Sequence, residues 1–134
     1  MSDNSEFQLC RPRRLRKSEW IRRITSENTL EVNDLVQPLF LIDNDNEINI
    51  EKMPGIKRFS AAQIIEEIKE INDLGINAIA IFPSINQKLK SKNAEEAVNP
   101  DNLVCKTLRI LREKFPDIGI ICDVALDPYT ISGH

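Results

Sequence analysis

The chain has 134 residues, of which 41% are hydrophobic and 29% are charged, and its formal net charge is −3. This composition is typical of a globular domain and excludes a disordered or fibrous chain. The small negative charge gives no reason to expect nucleic acid or an anionic membrane as a partner. The three widely spaced cysteines, Cys10, Cys105 and Cys122, predict neither a disulfide framework nor a cysteine zinc site.

The N-terminal residues, MSDNSEFQLCRPRRLRK, contain no apolar stretch and therefore do not form a secretory signal. No segment reaches the roughly 18 consecutive apolar residues that a membrane-spanning helix needs. Asp3 and Glu6 argue against a transit peptide, because such peptides are usually poor in acidic residues. An odd number of cysteines without a signal sequence fits a reducing compartment, so we expect a cytoplasmic protein.

Residues 1–34 are predicted to form an N-terminal arm. Their apolar residues are too sparse for a self-sufficient core, and only one short helix is predicted, near Lys17–Thr25. The arm contains a group of arginines: Arg11, Arg13, Arg14 and Arg16. These can pair with carboxylates of another subunit or contact nucleic-acid phosphates. We favour a subunit contact, because no aromatic platform for bases accompanies them and the whole chain is acidic.

The next segment alternates strands with helices. A buried strand is predicted over residues 35–42, although Pro38 prefers the end or edge of a sheet. Residues 43–59 are polar and predict a loop. Ser60 is a good N-cap for a helix with an isoleucine-rich stripe, and Gly75 ends that helix. A second buried strand, INAIAIFP, is predicted over residues 76–83.

The pattern then repeats. Asp101 is predicted to cap a helix with an apolar face, and Pro116 ends it. A third strand is predicted over residues 118–127, before an Asp-Pro turn. The order arm, β, α, β, α, β indicates βαβ units and a parallel sheet. A (β/α)8 barrel and a doubly wound open sheet both fit this order, and the absence of a glycine-rich phosphate loop disfavours the nucleotide-binding open sheet.

Several phrases occur in an order that resembles the porphobilinogen synthase (5-aminolevulinate dehydratase) family. They are RPRRLRK, DLVQPLF, MPGIKRFS, GINAIAIFP, NPDNLV and the closing DVALDPYTISGH. The resemblance covers nearly the whole chain but only the N-terminal part of the enzyme. It implies an arm, residues 1–34, and a partial (β/α)8 barrel, residues 35–134, which comprises the first three β/α units. A complete barrel typically needs about 250 residues.

The resemblance also implies an activity and partners. The family condenses two molecules of 5-aminolevulinate to porphobilinogen in tetrapyrrole and haem biosynthesis, and it forms large homo-oligomers through the N-terminal arm. Two lysines of the family form Schiff bases with the substrates, and no lysine of this sequence matches their motif. We therefore expect an N-terminal fragment that is inactive by itself. The alternative is a non-catalytic interaction module that docks on a full-length homologue or another partner.

Asp123 is the strongest candidate for a functional residue. It lies near the carboxyl end of the third predicted strand, where the active sites of (β/α)8 barrels are found. The resemblance implies that it lines the substrate pocket, where a carboxylate can orient an amine or transfer a proton; the alternative is a loop cap. Phe82 is expected to face the same pocket or to join the core. Ser132 and His134 belong to a loop that the resemblance places at the pocket rim.

Zinc-dependent members of the family carry cysteines at two positions that are Ala125 and Asp127 here. Alanine has no donor atom, and a carboxylate is a hard ligand that suits Mg²⁺ better than Zn²⁺. The resemblance therefore implies the zinc-independent branch, with magnesium as an activator and Asp127 as a candidate ligand; Asp127 as a simple turn residue is the alternative. A second departure is Ala94, which stands in a segment where the family usually has a glycine.

Overall fold

The computed structural model describes residues 13–44 and 48–133. The chain divides into two compact units, with the boundary between Glu31 and Val32.

The first unit contains one short helix. A 3-10 turn at Arg14–Arg16 precedes helix α1, Glu19–Ile24, which is the helix predicted near Lys17–Thr25. Arg23 forms an exposed ion pair with Glu19 one turn earlier, at 2.6 Å. No described residue of this unit is buried. Four of its large apolar side chains are exposed, namely Leu15, Trp20, Ile24 and Leu30, and Ile21 is partly buried.

The second unit is a five-stranded sheet with two helices. The strands are β1, Gln37–Ile42; β2, Ile48–Asn49; β3, Lys57–Phe59; β4, Ala78–Ser84; and β5, Gly119–Cys122. Their order in the sheet is β2-β3-β1-β4-β5, and every neighbouring pair is parallel except β2 and β3. The helices are α2, Gln63–Asp73, and α3, Leu103–Lys114.

The core lies between the two helices and one face of the sheet. Leu39 and Leu41 of β1 alternate with Phe40, and Ile79 and Ile81 of β4 are the matching buried positions. These side chains pack with the isoleucine stripe of α2 and with Val104 and Leu111 of α3. The helical stripes face this core, as the sequence predicts. The strands bury alternate residues, whereas their continuous apolar runs predict burial on both faces.

The segment over residues 43–59 differs from the loop that its polarity predicts. It contains β2 and β3, which form an antiparallel hairpin around Met53-Pro54-Gly55, and β3 pairs with the free edge of β1. Lys57-Arg58-Phe59 has no alternation of apolar and polar residues, and of these three only Phe59 packs against the core. The pairing partner, rather than the local pattern, makes this segment a strand.

The third strand is shorter than the predicted 118–127, because it ends at Cys122. The predicted strand is longer because it includes the apolar residues Val124 and Leu126. Val124 is 95% exposed and Leu126 is 59% exposed. The other two strands start at Gln37 and Ala78 instead of 35 and 76, because their first residues belong to turns. Leu35 donates to the carbonyl of Val32, and Ile76 donates to that of Ile71.

The caps of α2 follow the prediction, whereas the cap of α3 does not. The hydroxyl of Ser60 accepts from the amide of Gln63, and the Gln63 side chain accepts from the amide of Ser60. This reciprocal pair is a capping box. Gly75 has a φ of 82°, which is the left-handed conformation of a helix-ending glycine. The N-cap of α3 is Asn102, not Asp101, since the Asn102 side chain accepts from the amide of Cys105.

Asp101 has a different partner. Its carboxylate accepts from Arg109 at 3.0 Å on the exposed surface of α3. Within the part of the chain that the structure describes, no helix has both the length and the apolar character needed to cross a membrane.

Candidate functional site

The candidate site lies at the edge of the sheet where the parallel strands end. Strands β1, β4 and β5 run in the same direction, so their carboxyl ends meet at one edge. The loops that follow β4 and β5 carry most of the polar residues that the sequence singles out. Active sites of parallel α/β folds are built at this edge.

Asp123 follows β5 directly and lines an open depression of about 300 Å³. The walls of the depression come from the start of α3 and from the loop after β5. Its lining includes Val104, Cys105, Leu108, Cys122, Val124 and Tyr129. Asp123 is thus a carboxylate beside a mostly apolar hollow, and its own side chain is exposed.

The structure does not bring all the predicted site residues into this depression. Phe82 lies at the carboxyl end of β4 and contacts the ring of Phe40, with ring centroids 5.9 Å apart. It is 36% exposed and does not belong to the buried core cluster. Asp127 and Ser132 are exposed in the loop after β5 but do not line the depression. His134 and Arg11 lie outside the described residues.

Asp127 begins a 3-10 turn, Asp127–Tyr129, with Pro128 in its first turn. Its backbone carbonyl accepts from the amide of Thr130 at 3.3 Å and from the Thr130 hydroxyl at 3.2 Å. In residues 13–44 and 48–133, no group of three or more histidine, cysteine or acidic side chains is placed to hold a metal ion. Asp127 therefore offers one hard oxygen donor on the exposed loop after β5.

Tyr129 is a residue of this region that the sequence reasoning missed. It is 7% exposed and closes one side of the depression. Burial raises the pKa of its phenol, and negative charge on Cys105, Glu96 and Cys122 adds to the rise. Its place in the closing DVALDPYTISGH phrase is the signal that could have pointed to it.

The loops after β4 and β5 are joined by backbone hydrogen bonds. The amide of Ser91 donates to the carbonyl of Tyr129 at 3.1 Å, and the amide of Ile131 donates to the carbonyl of Ser91 at 3.2 Å. Within the first loop, the hydroxyl of Ser91 donates to the carboxylate of Glu95. The loop after β5, which carries Asp123, Asp127 and Ser132, is therefore braced by the loop after β4.

Ala94 adopts the left-handed conformation, with a φ of 54°, and is 3% exposed. This conformation is costly for a residue with a Cβ and suits glycine. The departure of this loop from the usual glycine pattern therefore coincides with a strained position. The loop forms a 3-10 turn, Glu95–Val98, directly after it.

The delta-aminolevulinic acid dehydratase family model matches residues 9–134 of the chain. The chain belongs to this family. The delta-aminolevulinic acid dehydratase of Bradyrhizobium diazoefficiens is 48% identical over 125 residues, which make up 92% of this chain and 35% of that protein. The chloroplastic delta-aminolevulinic acid dehydratase of Selaginella martensii is 42% identical and is matched over 92% of this chain and 30% of its own length.

A solved dehydratase structure has the same arrangement. The delta-aminolevulinic acid dehydratase (porphobilinogen synthase) of Toxoplasma gondii ME49, in complex with the reaction product porphobilinogen, superposes with a TM-score of 0.85 at 41% identity. The match covers 93% of this chain and 36% of that one, so this chain spans about a third of the length of these dehydratases. Its mixed sheet with parallel strands is similar to the TIM-barrel fold of porphobilinogen synthase, which confirms the expected fold class at this level.

Proposed function

We propose that this chain supplies the N-terminal part of a porphobilinogen synthase, which condenses two molecules of 5-aminolevulinate to porphobilinogen. Residues 35–134 would form the first three β/α units of a (β/α)8 barrel, and residues 1–34 its arm. The observation that carries the proposal is the family match over residues 9–134. The likeness to a dehydratase structure that holds porphobilinogen supports the same assignment.

In this proposal Asp123 lines the substrate pocket. Its position after β5, at the edge where barrel active sites lie, supports a role in orienting the substrate amine or transferring its proton. Phe82 supplies an apolar wall from the neighbouring strand, since it is partly exposed and stands outside the core cluster. Ser132 is assigned to the rim, in the loop that Ser91 braces.

Magnesium is the metal that the described residues fit. Mg²⁺ keeps several waters and is often bound through one or two carboxylates. Asp127 is exposed and offers one such carboxylate, whereas Ala125 offers no donor. When bound, the ion would act as an activator, and Asp127 would hold it at the loop after β5. A zinc site of the cysteine type does not fit these two residues.

The arm is proposed to contact another subunit of a homo-oligomer. Its support is the set of exposed apolar side chains among residues 13–31, none of which is buried, because such a segment gains stability from lying on another surface. A cytoplasmic location belongs to the same proposal. The free thiols of Cys105 and Cys122 support a reducing compartment.

The 134 residues alone are proposed to be inactive. None of their lysines occupies the family's Schiff-base motif, and an imine with the substrate ketone requires an amine. The alternative of a non-catalytic interaction module is not favoured by any of the comparisons. In both cases the exposed sheet face, with Ile121 53% exposed, would need a covering surface.

A chimera tests the proposed function. Residues 1–134 would replace the matching N-terminal segment of the Bradyrhizobium diazoefficiens dehydratase, and porphobilinogen formation would be measured. We expect an active chimera, and we expect Asp123→Asn to lower its kcat by about 100-fold through loss of a pocket carboxylate. Asp117→Asn, an exposed aspartate before β5, is the matched control and should keep the parent kcat.

Two results would count against the proposal. One is a chimera that folds and assembles like the Bradyrhizobium diazoefficiens enzyme but forms no porphobilinogen. The other is an Asp123→Asn chimera with the kcat and KM of its parent. An Asp127→Asn chimera tests the metal assignment independently of the catalytic role of Asp123. It should lose stimulation by Mg²⁺ and keep its activity without added metal.

A further inference from the structure

Helix α2 carries an acidic solvent face. Glu67, Glu70 and Asp73 follow one another at intervals of three residues, which makes them neighbours on the helix surface. Glu66 is paired with Lys69. Among the residues that the structure describes, no cationic side chain is paired with Glu67, Glu70 or Asp73. The helix therefore presents carboxylates whose charge is not neutralised within the described part of the chain.

Two of these carboxylates, Glu70 and Asp73, form what we call the acidic end of α2. The C-terminal end of a helix carries a partial negative charge, which favours cations in the last turn. The last turn of α2 has no basic residue, whereas the last turn of α3 contains Arg112 and Lys114. The end of α2 is thus electrostatically unfavourable by itself, and a cation from outside the helix would stabilise it.

The complementary charge lies in the arm. Four exposed cationic side chains are close together in its sequence, and we call them the basic segment: Arg13, Arg14, Arg16 and Lys17. None of them has a carboxylate partner within residues 13–44 and 48–133. Guanidinium groups pair with carboxylates through two parallel hydrogen bonds. The basic segment therefore offers the charge that the acidic end of α2 lacks.

An exposed apolar side chain accompanies each of the two charged patches. Trp20 lies three residues after the basic segment and is 65% exposed, and Leu74 directly follows Asp73 and is 70% exposed. Tryptophan is a frequent anchor of protein interfaces, and complementary charges around an anchor fix the orientation of the partners. The two patches thus match each other in both charge and apolar character.

We propose that the basic segment of one copy of the chain binds the acidic end of α2 in a second copy. The inference rests on the proposed role of the arm as a subunit contact, and it names the surface that the arm contacts. The same contact formed in both directions gives a two-fold symmetric pair. Helix α3 does not suit the arm, because its exposed Arg112 and Lys114 would repel the basic segment.

Charge reversal in the 134-residue chain tests the contact. The arm variant carries Arg13→Glu and Arg14→Glu, and the helix variant carries Glu70→Lys and Asp73→Lys. Sedimentation velocity measures the dissociation constant of each chain at low salt. We expect each variant alone to self-associate about tenfold more weakly than the parent, because like charges then face each other across the contact. Added salt should weaken the association of the parent by screening.

Mixing the two variants gives the sharper result. In an equimolar mixture the arm of each variant meets an α2 of opposite charge, so a heterodimer should form about as tightly as the parent dimer. Docking of the arm on its own chain would give no such gain on mixing and would contradict the proposal. Because the readout is self-association rather than catalysis, a negative result leaves the chimera test of the proposed function unaffected.

Two controls separate the contact from general effects of charge and folding. Glu113→Lys with Asp117→Lys makes the same change in charge at exposed positions near the end of α3 and should self-associate like the parent. The helix variant should resist urea at least as well as the parent, because lysines complement the end of the helix. The proposal is overturned if the parent stays monomeric, if the α3 variant loses as much association as the helix variant, or if mixing restores nothing.

Discussion

Phe40 and Phe82 are paired in register on neighbouring parallel strands, and their ring centroids lie 5.9 Å apart at an interplanar angle of 36°. They alternate with Leu41 and Ile81, which point into the core. The aromatic pair therefore belongs to the sheet face opposite the core. Helices α2 and α3 cover one face of the sheet, while Phe82 and Ile121 remain accessible on the other.

The two faces should respond differently to truncation. Leu41 is 0% exposed, so Leu41→Ala should lower the free energy of unfolding by about 2–5 kcal/mol, through lost burial and the cavity left behind. Phe82→Ala should cost less than about 2 kcal/mol, because the ring is partly in water already. Urea unfolding followed by circular dichroism measures both. Equal losses for the two variants would show that the Phe82 face is covered.

Ala94→Gly should stabilise the chain. A left-handed residue with a Cβ costs roughly 1–2 kcal/mol, and the larger unfolded-state entropy of glycine offsets about 0.5–1 kcal/mol of that gain. We expect the free energy of unfolding to rise by about 0.5–1 kcal/mol. Ala97→Gly, in the adjoining 3-10 turn without a positive φ, is the control and should lower it. A loss of stability in both variants would contradict the strained conformation.

Asn102→Ala should destabilise α3, whereas Asp101→Ala should not. The Asn102 side chain caps the helix by accepting from the amide of Cys105 at 2.8 Å, and its loss should cost about 1 kcal/mol. Asp101 forms an exposed ion pair with Arg109, and such pairs contribute little. Thermal unfolding of the two variants compares these contributions. A larger loss of thermal stability in Asp101→Ala than in Asn102→Ala would indicate that Asp101 is the N-cap of α3.

Stability should decrease at alkaline pH. Burial raises the pKa of the Tyr129 phenol above 10.0 and that of the Cys122 thiol above 9.0, so the unfolded chain loses these protons at lower pH than the folded chain. Between the ordinary and the raised pKa values the folded state binds more protons, and the free energy of unfolding falls as pH rises. The contribution is fully present below about pH 9 and is lost as the pH passes the raised pKa values.

Urea unfolding between about pH 8 and about pH 11 measures this dependence. Tyr129→Phe removes the phenol and keeps the ring in the depression, so its stability should fall less steeply above about pH 10. Cys122→Ser should flatten the earlier part of the fall. Unchanged slopes in both variants would mean that neither group is desolvated on folding.

Much of the fold is predictable because its signals are local. Ile64, Ile68 and Ile71 recur at helical spacing, and all three are buried under the sheet. The hairpin strand β3 is not predictable in the same way, since Arg58 becomes part of a strand through its pairing with Phe40. The sequence predicts a longer β5 than the structure has, because Val124 is apolar and yet exposed.

In the candidate site, too, local features are predictable and contacts between distant segments are not. The place of Asp123, directly after a strand and beside the depression, is predictable from the sequence, and its role in a site stays a prediction. The arrangement of Cys105, Cys122 and Tyr129 around one depression depends on how α3 packs against β5, which no local pattern encodes. The bracing of the Tyr129 loop by Ser91 is likewise a contact between distant segments. The sequence therefore predicts single residues of this region better than it predicts the contacts between them.

The most direct measurement is porphobilinogen formation from 5-aminolevulinate by the purified 134-residue polypeptide, with Mg²⁺ present and the Bradyrhizobium diazoefficiens dehydratase as the positive control. We predict no product above the protein-free blank, because these residues carry no lysine in the Schiff-base motif of the family. Sustained, enzyme-dependent appearance of the pyrrole would contradict the account.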